Sequence, residues 1–115
     1  MSFIESGSGK GYAPGWFLAD DEDCLRLTKT MSAENAETAD NGGKYIPMGT
    51  VYPSNDGEAI GIVYEDVDVT SGDMPGSVVV EGIVYADRLA EEVAAAAKTA
   101  MTGIKFIDEA PTITR

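Results

Sequence analysis

Short segments rich in β-branched and aromatic residues, separated by turn-forming residues, dominate this 115-residue chain. The strongest is "SVVVEGIVYA" at 77–86, and "CLRLTKT" at 24–30 alternates apolar with polar side chains. Such alternation places one face of a strand in the core and the other in water. Two more extended segments are "KYIPMGTVYP", whose Pro47 limits it to a sheet edge or bulge, and "AIGIVYEDVDV". The turns between them are "ADNGGK", "PSNDGEA" and "TSGDMPG". The pattern predicts short strands joined by tight turns.

One helix is predicted after these strands, in "DRLAEEVAAAAKTAMTG" at residues 87–103. Asp87 is placed to cap its first turn, four successive alanines carry high helix propensity, and Gly103 is suited to a left-handed stop. "IKFI" then predicts a short final strand and "APTITR" an extended tail. The fold class expected is therefore α+β and β-rich, a small domain of short strands with one helix near the C-terminus. The apolar stripe predicted to pack on the sheet comprises Leu89, Val93, Ala96, Ala97 and Met101.

The charge balance and the residue types that are missing limit the functions to consider. The chain carries 20 acidic and 8 basic residues, a net charge of −12, which disfavours nucleic acid as a partner. It has no histidine, and its single cysteine, Cys24, lies beside the acidic run "DDED", which raises a thiol pKa. No signal peptide or apolar run of membrane-spanning length is apparent. We therefore expect a soluble protein made in a reducing cytoplasm, with no membrane partner.

The chain divides by composition near residue 43. Residues 1–43 are Gly/Ser-rich and then acidic, and are interpreted as an N-terminal arm and lead-in; residues 44–115 hold nearly all the periodic apolar segments and are interpreted as the folded domain. The aromatic cluster of Tyr12, Trp16 and Phe17 has two interpretations: it folds back onto the core, or it anchors the arm on a partner.

The stretch "YEDVDVTSGD" at 64–73 raises the question of a calcium site. Asp66, Asp68 and Thr70 match the first, third and fifth positions of an EF-hand loop, but serines stand where that loop requires glycine at its sixth position and glutamate at its twelfth. A looser oxygen site formed by Asp66, Asp68 and Asp73 remains open as an alternative. The alternation of Val67 and Val69 with polar residues favours instead the end of a strand and its turn.

Two possible catalytic motifs are incomplete. "GSGKG" at 7–11 lacks the first glycine and the hydroxyl residue of a phosphate loop. Nothing in the sequence distinguishes one of the clustered carboxylates as an acid and another as a base. With no histidine and no activated nucleophile, we expect neither an enzyme nor a cofactor or metal site.

The ordered run from Lys44 to about residue 108 resembles the small head decoration or head fiber proteins of tailed bacteriophages. The similarity is greatest to the head-fiber type of phages of Gram-positive bacteria and fainter to the lambda-type head decoration protein, in which a "DG-A-GI" segment also precedes an extended stretch. The residues that carry it are Pro53, Asp56, Gly57, Ala59, Gly61, Ile62, Asp66, Val67, Gly72, Asp73, Pro75, Gly76, Val79, Gly82, Asp87 and Leu89.

The resemblance implies a structural protein of the virion that binds the outer surface of the assembled head and stabilises it. It also implies a homotrimer at three-fold positions, with the major capsid protein as partner. We expect Tyr12, Trp16 and Phe17 to contact the capsid, and deletion of residues 1–20 to abolish binding while the core stays folded. The alternatives are the capsid-attached base of a head fiber and, from another class, a calcium-dependent or adhesive binding module.

Overall fold

In a computed structural model, residues 13–19 and 23–107 are described. They form a small domain dominated by antiparallel strands with one helix near the C-terminal end, which confirms the predicted α+β, β-rich class. Tyr12, the "GSGKG" segment and the predicted extended tail lie outside the described residues. The elements are β1 Leu25–Met31, β2 Glu37–Thr38, β3 Lys44–Ile46, β4 Val51–Tyr52, β5 Gly61–Val63, β6 Val67–Asp68, β7 Met74–Tyr85, α1 Ala95–Ala100 and β8 Ile104–Ile107, with 3-10 turns at Ala33–Asn35 and Ala86–Arg88.

The long strand β7 is the centre of the larger sheet, whose order is β1-β7-β5-β4 with β8 also paired to β7. The β-branched run within it was predicted, but the strand begins earlier than expected, at Met74. Pro75 is tolerated there because it lies beyond the two residues that pair with β5, so that part of β7 has a neighbouring strand on one side only.

The second half of β7 changes partners. Pairing with β1 shifts register between Leu25 and Arg26, and Gly82 then adopts φ 150°. From Gly82 onward β7 runs parallel to β8, while Leu18 forms an antiparallel bridge with Val84. The helix α1 lies in the connection between these two parallel strands, as is usual for a parallel pair.

A smaller sheet has the order β2-β3-β6. The predicted "ADNGGK" turn joins β2 to β3: Gly42 donates to the carbonyl of Ala39, Ala39 donates to that of Gly43, and Gly42 has φ 90°. This geometry is a tight turn followed by a glycine in the left-handed region, a common three-residue hairpin loop.

The single strand predicted over "AIGIVYEDVDV" was wrong. Its first part, Gly61–Val63, pairs within the larger sheet, and Val67–Asp68 pairs with β3 in the smaller one. The chain leaves one sheet and enters the other between them, and Asp66 accepts a hydrogen bond from the Met48 N–H at 2.7 Å there. A local apolar alternation cannot show that its two ends serve different sheets.

The core has two parts because the central strands are buried on both faces. Ile62 and Val79 pack in a cluster with Phe17 and residues of the C-terminal helical region, whereas their neighbours Val63 and Val78 pack towards the smaller sheet. All four of these β5 and β7 side chains have zero solvent exposure. Alternating side chains of one strand thus join the sheet to a layer on each side.

The helix is shorter than predicted. It spans Ala95–Ala100, and Asp87 lies in a 3-10 turn instead of capping it. The N–H of Ala94, at the N-cap, donates to the Asn55 side chain at 2.8 Å, so a residue distant in sequence fixes where the helix begins. Gly103 does not adopt the expected left-handed φ; a Cβ there would come within 2.7 Å of the Val80 carbonyl oxygen. Of the predicted stripe, Val93, Ala97 and Met101 are buried and Leu89 packs against them, but Ala96 is exposed.

The boundary placed at residue 43 also needs correction. Strand β1 pairs with β7 at seven positions, and β2 belongs to the smaller sheet, so both lie within the domain that was expected to begin at Lys44. The sequence of β1 alone, "LRLTKTM", does not show which strand it pairs with. It joins the larger sheet because β7 is long enough to pair with all of it.

Candidate binding surface

One face of the larger sheet is left uncovered beside the ends of β1, β7 and β8. Val84 and Ile104 point into the cluster under the helix, so Ile83 and Lys105, which follow the alternation, point to the opposite face. Leu27 pairs with Val78, whose side chain also points away from the helix. The smaller sheet covers this second face near Val78 and does not bury its outer end.

We call this surface the open face. It is formed by Leu25, Leu27 and Lys29 of β1, Ile83 of β7 and Lys105 of β8. The exposures of its three aliphatic side chains are 45% for Leu25, 43% for Leu27 and 40% for Ile83. Large aliphatic residues grouped on one exposed sheet face are typical of an interaction surface, whereas single exposed ones need no explanation.

The charge of the open face differs from that of the whole chain. Lys29 and Lys105 lie on it, Glu81 pairs with Leu25, and the exposed Asp23 lies two residues before Leu25. The whole chain has a net charge of −12. Lysines beside exposed aliphatic side chains suit a partner surface that is apolar with acidic residues at its rim.

Trp16 lies next to this surface, and this was one of the predicted contact residues. The guanidinium of Arg88 is 4.6 Å from the centroid of the Trp16 ring and 5.0 Å from that of Tyr85. Arg88 also donates to the Trp16 carbonyl oxygen at 2.9 Å. Tyr85 is two residues beyond Ile83 and so shares its face. Arg88 thereby holds a half-buried tryptophan and a half-buried tyrosine together at the end of the open face.

The structure corrects the prediction for Phe17. Its side chain has zero exposure and packs with Leu18 and Val84, while its carbonyl accepts the N–H of Tyr85 at 2.8 Å. A side chain in that position cannot touch a partner unless the domain opens. Of the two interpretations of the aromatic cluster, folding back onto the core is correct for Phe17; Trp16 is partly accessible, and Tyr12 is not among the described residues.

The carboxylates of "YEDVDVTSGD" stabilise separate turns. Asp66 accepts from the N–H of Met48, Asp73 from that of Ala33 at 2.9 Å, and Asp68 from that of Thr70 at 2.9 Å. Hydrogen bonds from the side chain and then the backbone of Thr70 hold the pKa of Asp68 below its ordinary value. Across residues 13–19 and 23–107, no three carboxylate or thiol side chains are grouped so that they could hold a metal ion. These acids therefore connect the loop to neighbouring backbone.

A groove lies elsewhere, along the connection between β7 and α1. Its lining mixes acidic and apolar side chains, including Asp87, Glu92 and Val93. The carboxylate of Glu91 in this lining accepts the N–H of Val51 at 3.1 Å, which attaches the connection to β4. The hydrogen bond between Glu91 and Val51 therefore shapes this groove, and its lining is mainly acidic, like the chain as a whole.

Sequence reasoning did not identify the open face. It placed Leu25 and Leu27 together on one side of a strand, but it took the apolar side of a strand to be the buried one. Lys29 indicates this in the sequence: by alternation it shares the face of the two leucines, and a lysine is seldom fully buried.

Comparisons with known proteins give no relative for this chain. No family model matches the sequence, no curated protein matches it, and no solved structure matches its fold. In the part of the chain that the structure describes, no helix is long and apolar enough to cross a membrane.

Proposed function

We propose that this chain is a head decoration protein of a tailed bacteriophage, which binds the outer surface of the assembled head and stabilises it, as a homotrimer at three-fold positions. The observation that supports a binding role is the open face, an exposed group of three aliphatic side chains with two lysines on an otherwise acidic protein. The sequence resemblance over residues 44–108 supports the phage head as the partner.

The contact that we propose places Leu25, Leu27 and Ile83 on an apolar patch of the major capsid protein, with Lys29 and Lys105 against acidic residues at its rim. Trp16, held by Arg88, extends the same contact. Apolar burial supplies the affinity and the lysines supply orientation and association rate. Because a trimer presents three copies of the contact to a symmetric shell, modest single contacts add to tight attachment.

Mixing the purified chain with heads assembled from the major capsid protein encoded near its gene tests this proposal. The chain is expected to co-sediment with the heads and to raise the temperature at which they disrupt. A variant carrying Lys29→Glu and Lys105→Glu should bind at least about tenfold more weakly, since like charges across an interface oppose association.

The matched comparison is between the single variants Lys105→Glu and Lys44→Glu, because each reverses one exposed lysine and Lys44 lies on the smaller sheet. Lys44→Glu should bind as the unmodified chain does, and Lys105→Glu more weakly. Equal binding by these two variants would rule out the open face as the contact. Failure of the unmodified chain to bind heads in any assembly state would rule out the decoration role itself.

A further inference from the structure

The loop that joins β2 to β3 carries an Asn-Gly pair at its tip. Asn41 and Gly42 are both exposed to solvent, and the strands on either side of the loop pair at two positions. Short pairs of strands open locally at a small fraction of the free energy that unfolds a whole domain. Water and base can therefore reach both the side chain and the backbone of this pair.

We propose that Asn41 is a modification site, where the side-chain amide is lost spontaneously and an acidic residue replaces it. The Gly42 nitrogen attacks Cγ of Asn41: an N–Cγ bond forms, the Cγ–Nδ2 bond breaks, and Nδ2 takes the Gly42 proton and leaves as ammonia. Water then opens the resulting succinimide ring. Opening at Cγ gives aspartate, and opening at the main-chain carbonyl gives isoaspartate, in which the main chain runs through Cβ. The reaction belongs to the chain itself and does not depend on binding to a head.

The hydrogen bond of the Asn41 side chain favours the attack. Its Oδ1 accepts the N–H of Gly43 at 2.9 Å, which bends the side chain over the intervening Gly42 peptide. The same N–H stabilises the negative charge that develops on Oδ1 as the nitrogen adds to Cγ. Because Gly42 has no Cβ, its nitrogen is open to approach from the side chain before it.

One backbone hydrogen bond opposes the reaction. The N–H of Gly42 donates to the Ala39 carbonyl at 2.9 Å, so this bond must break before the nitrogen can lose its proton. The opening can stay confined to the loop, since the N–H of Lys44 is held separately by the Thr70 hydroxyl at 2.8 Å. The rate at Asn41 should therefore follow the fraction of time that the loop is open.

Asn35 is a matched comparison for the role of glycine. It is also exposed, and the N–H of the next residue, Ala36, also donates to a turn carbonyl, that of Ala33, at 3.2 Å. The Cβ of Ala36 obstructs the approach that Gly42 leaves open. We therefore expect Asn35 to keep its amide while Asn41 loses it.

Asn55 is a comparison for the role of side-chain freedom. Its Nδ2 donates to the Glu92 carbonyl and its Oδ1 accepts the N–H of Ala94, both at 2.8 Å, so both ends of this amide are held. We expect Asn55 to lose its amide at least about tenfold more slowly than Asn41, because these two hydrogen bonds must break first.

The two products should differ in their effect on the smaller sheet. Aspartate keeps an acceptor for the Gly43 N–H and adds a negative charge beside Asp40. Isoaspartate lengthens the main chain of the loop and so displaces the Gly42 N–H from the Ala39 carbonyl. Because loop length sets the register of a hairpin, the isoaspartyl chain should pair β2 with β3 less stably.

Incubation of the folded chain in mildly alkaline buffer at physiological temperature tests the site. Tandem mass spectrometry of a tryptic digest measures the loss of the amide at each asparagine, and enzymatic methylation of isoaspartate measures that product. Asn41 should be converted well before Asn35 and Asn55, with isoaspartate among the products. Urea should speed the conversion of Asn41, because it keeps the loop open.

Substitutions separate this site from other sources of ammonia. Asn41→Gln and Asn41→Asp should each reduce ammonia release by the folded chain to background, whereas the matched control Asn35→Gln should leave it unchanged. Separated by anion exchange, the isoaspartyl chain should have a lower Tm than the Asn41→Asp variant. An equal Tm for these two chains would overturn the argument from loop length.

Three results would overturn the site itself. The first is an Asn41 that stays intact in the folded chain while the chain in urea is converted, which would show that the hairpin protects it. The second is conversion of the three asparagines at equal rates. The third is ammonia release that Asn41→Gln does not reduce. Conversion to aspartate alone, without isoaspartate, would overturn the succinimide route.

Discussion

Replacing Phe17 with alanine should cost a large part of the stability of this domain. The Phe17 side chain has zero exposure and lies in the larger core cluster, and the chain around it bridges to β7 through Leu18 and Val84. Removal of a fully buried phenylalanine side chain typically costs about 3–5 kcal/mol, from lost burial and the cavity left behind. Small domains have about 5–15 kcal/mol of stability in total, so the variant should be marginal, with a Tm lower by roughly 12 °C or more.

Urea denaturation followed by circular dichroism and by fluorescence measures this loss. Trp16 is the only tryptophan of the chain and is adjacent to the substitution, so its emission reports local loosening separately from global unfolding. The control is Ile83→Ala, which truncates a β7 side chain that is 40% exposed and should cost less than about 1 kcal/mol. A loss below 1 kcal/mol for Phe17→Ala, or equal losses for the two variants, would refute the burial of Phe17.

Three further predictions follow from the described geometry. Deleting residues 1–12 should leave the domain folded by circular dichroism. Deleting 1–20 should unfold it, contrary to the expectation from sequence, because the buried side chains of Phe17 and Leu18 are removed. Equal stability of the two variants would contradict this. In thermal melts, Gly49→Ala should lower stability by more than Gly42→Ala. Both glycines have φ 90°, where an alanine costs about 1–2 kcal/mol of strain, but a Cβ at Gly49 would also come within 2.7 Å of the Ala90 nitrogen, whereas one at Gly42 has no atom within 4 Å. A smaller loss for Gly49→Ala would show that the backbone around Ala90 moves to accommodate the added Cβ. Folding lowers the pKa of Asp68, so its carboxylate stabilises the domain above the unfolded pKa of about 3.9, and this stabilisation is lost as the pH falls through the folded pKa. In urea titrations, the stability of Asp68→Asn should therefore fall less between about pH 5 and pH 2 than that of the unmodified chain. Identical pH profiles of the two chains would argue against the Thr70 hydrogen bonds.

The elements that sequence predicted well are those whose signals are local. "ADNGGK" forms its hairpin because glycine supplies the positive φ that the loop requires. The run "SVVVEGIVYA" lies in the longest strand, and "IKFI" forms the last one. The helix was predicted at the right place but too long, since its start depends on Asn55, about 40 residues earlier in the chain. No local pattern contains that contact.

The candidate surface was less predictable for the same reason. Leu25 and Leu27 form the apolar side of an alternating strand, and that side is usually buried. They remain exposed because the smaller sheet covers another part of the same face, and Ile83, more than 50 residues away, completes the group. The sequence also favoured Phe17 as a contact residue, although aromatic residues serve cores and interfaces alike and only packing separates the two.

The sequence by itself determined the β-rich class, the turns, the excess of negative charge and the absence of histidine, because each depends on residue type or on neighbours a few positions apart. The tertiary structure decided that 59–69 divides between two sheets, that β1 joins the domain and that Phe17 is buried. It also decided that three aliphatic side chains and two lysines share an open face. These outcomes depend on which distant segments pair and on where a covering layer ends, and burial is a property of that arrangement and not of any residue alone.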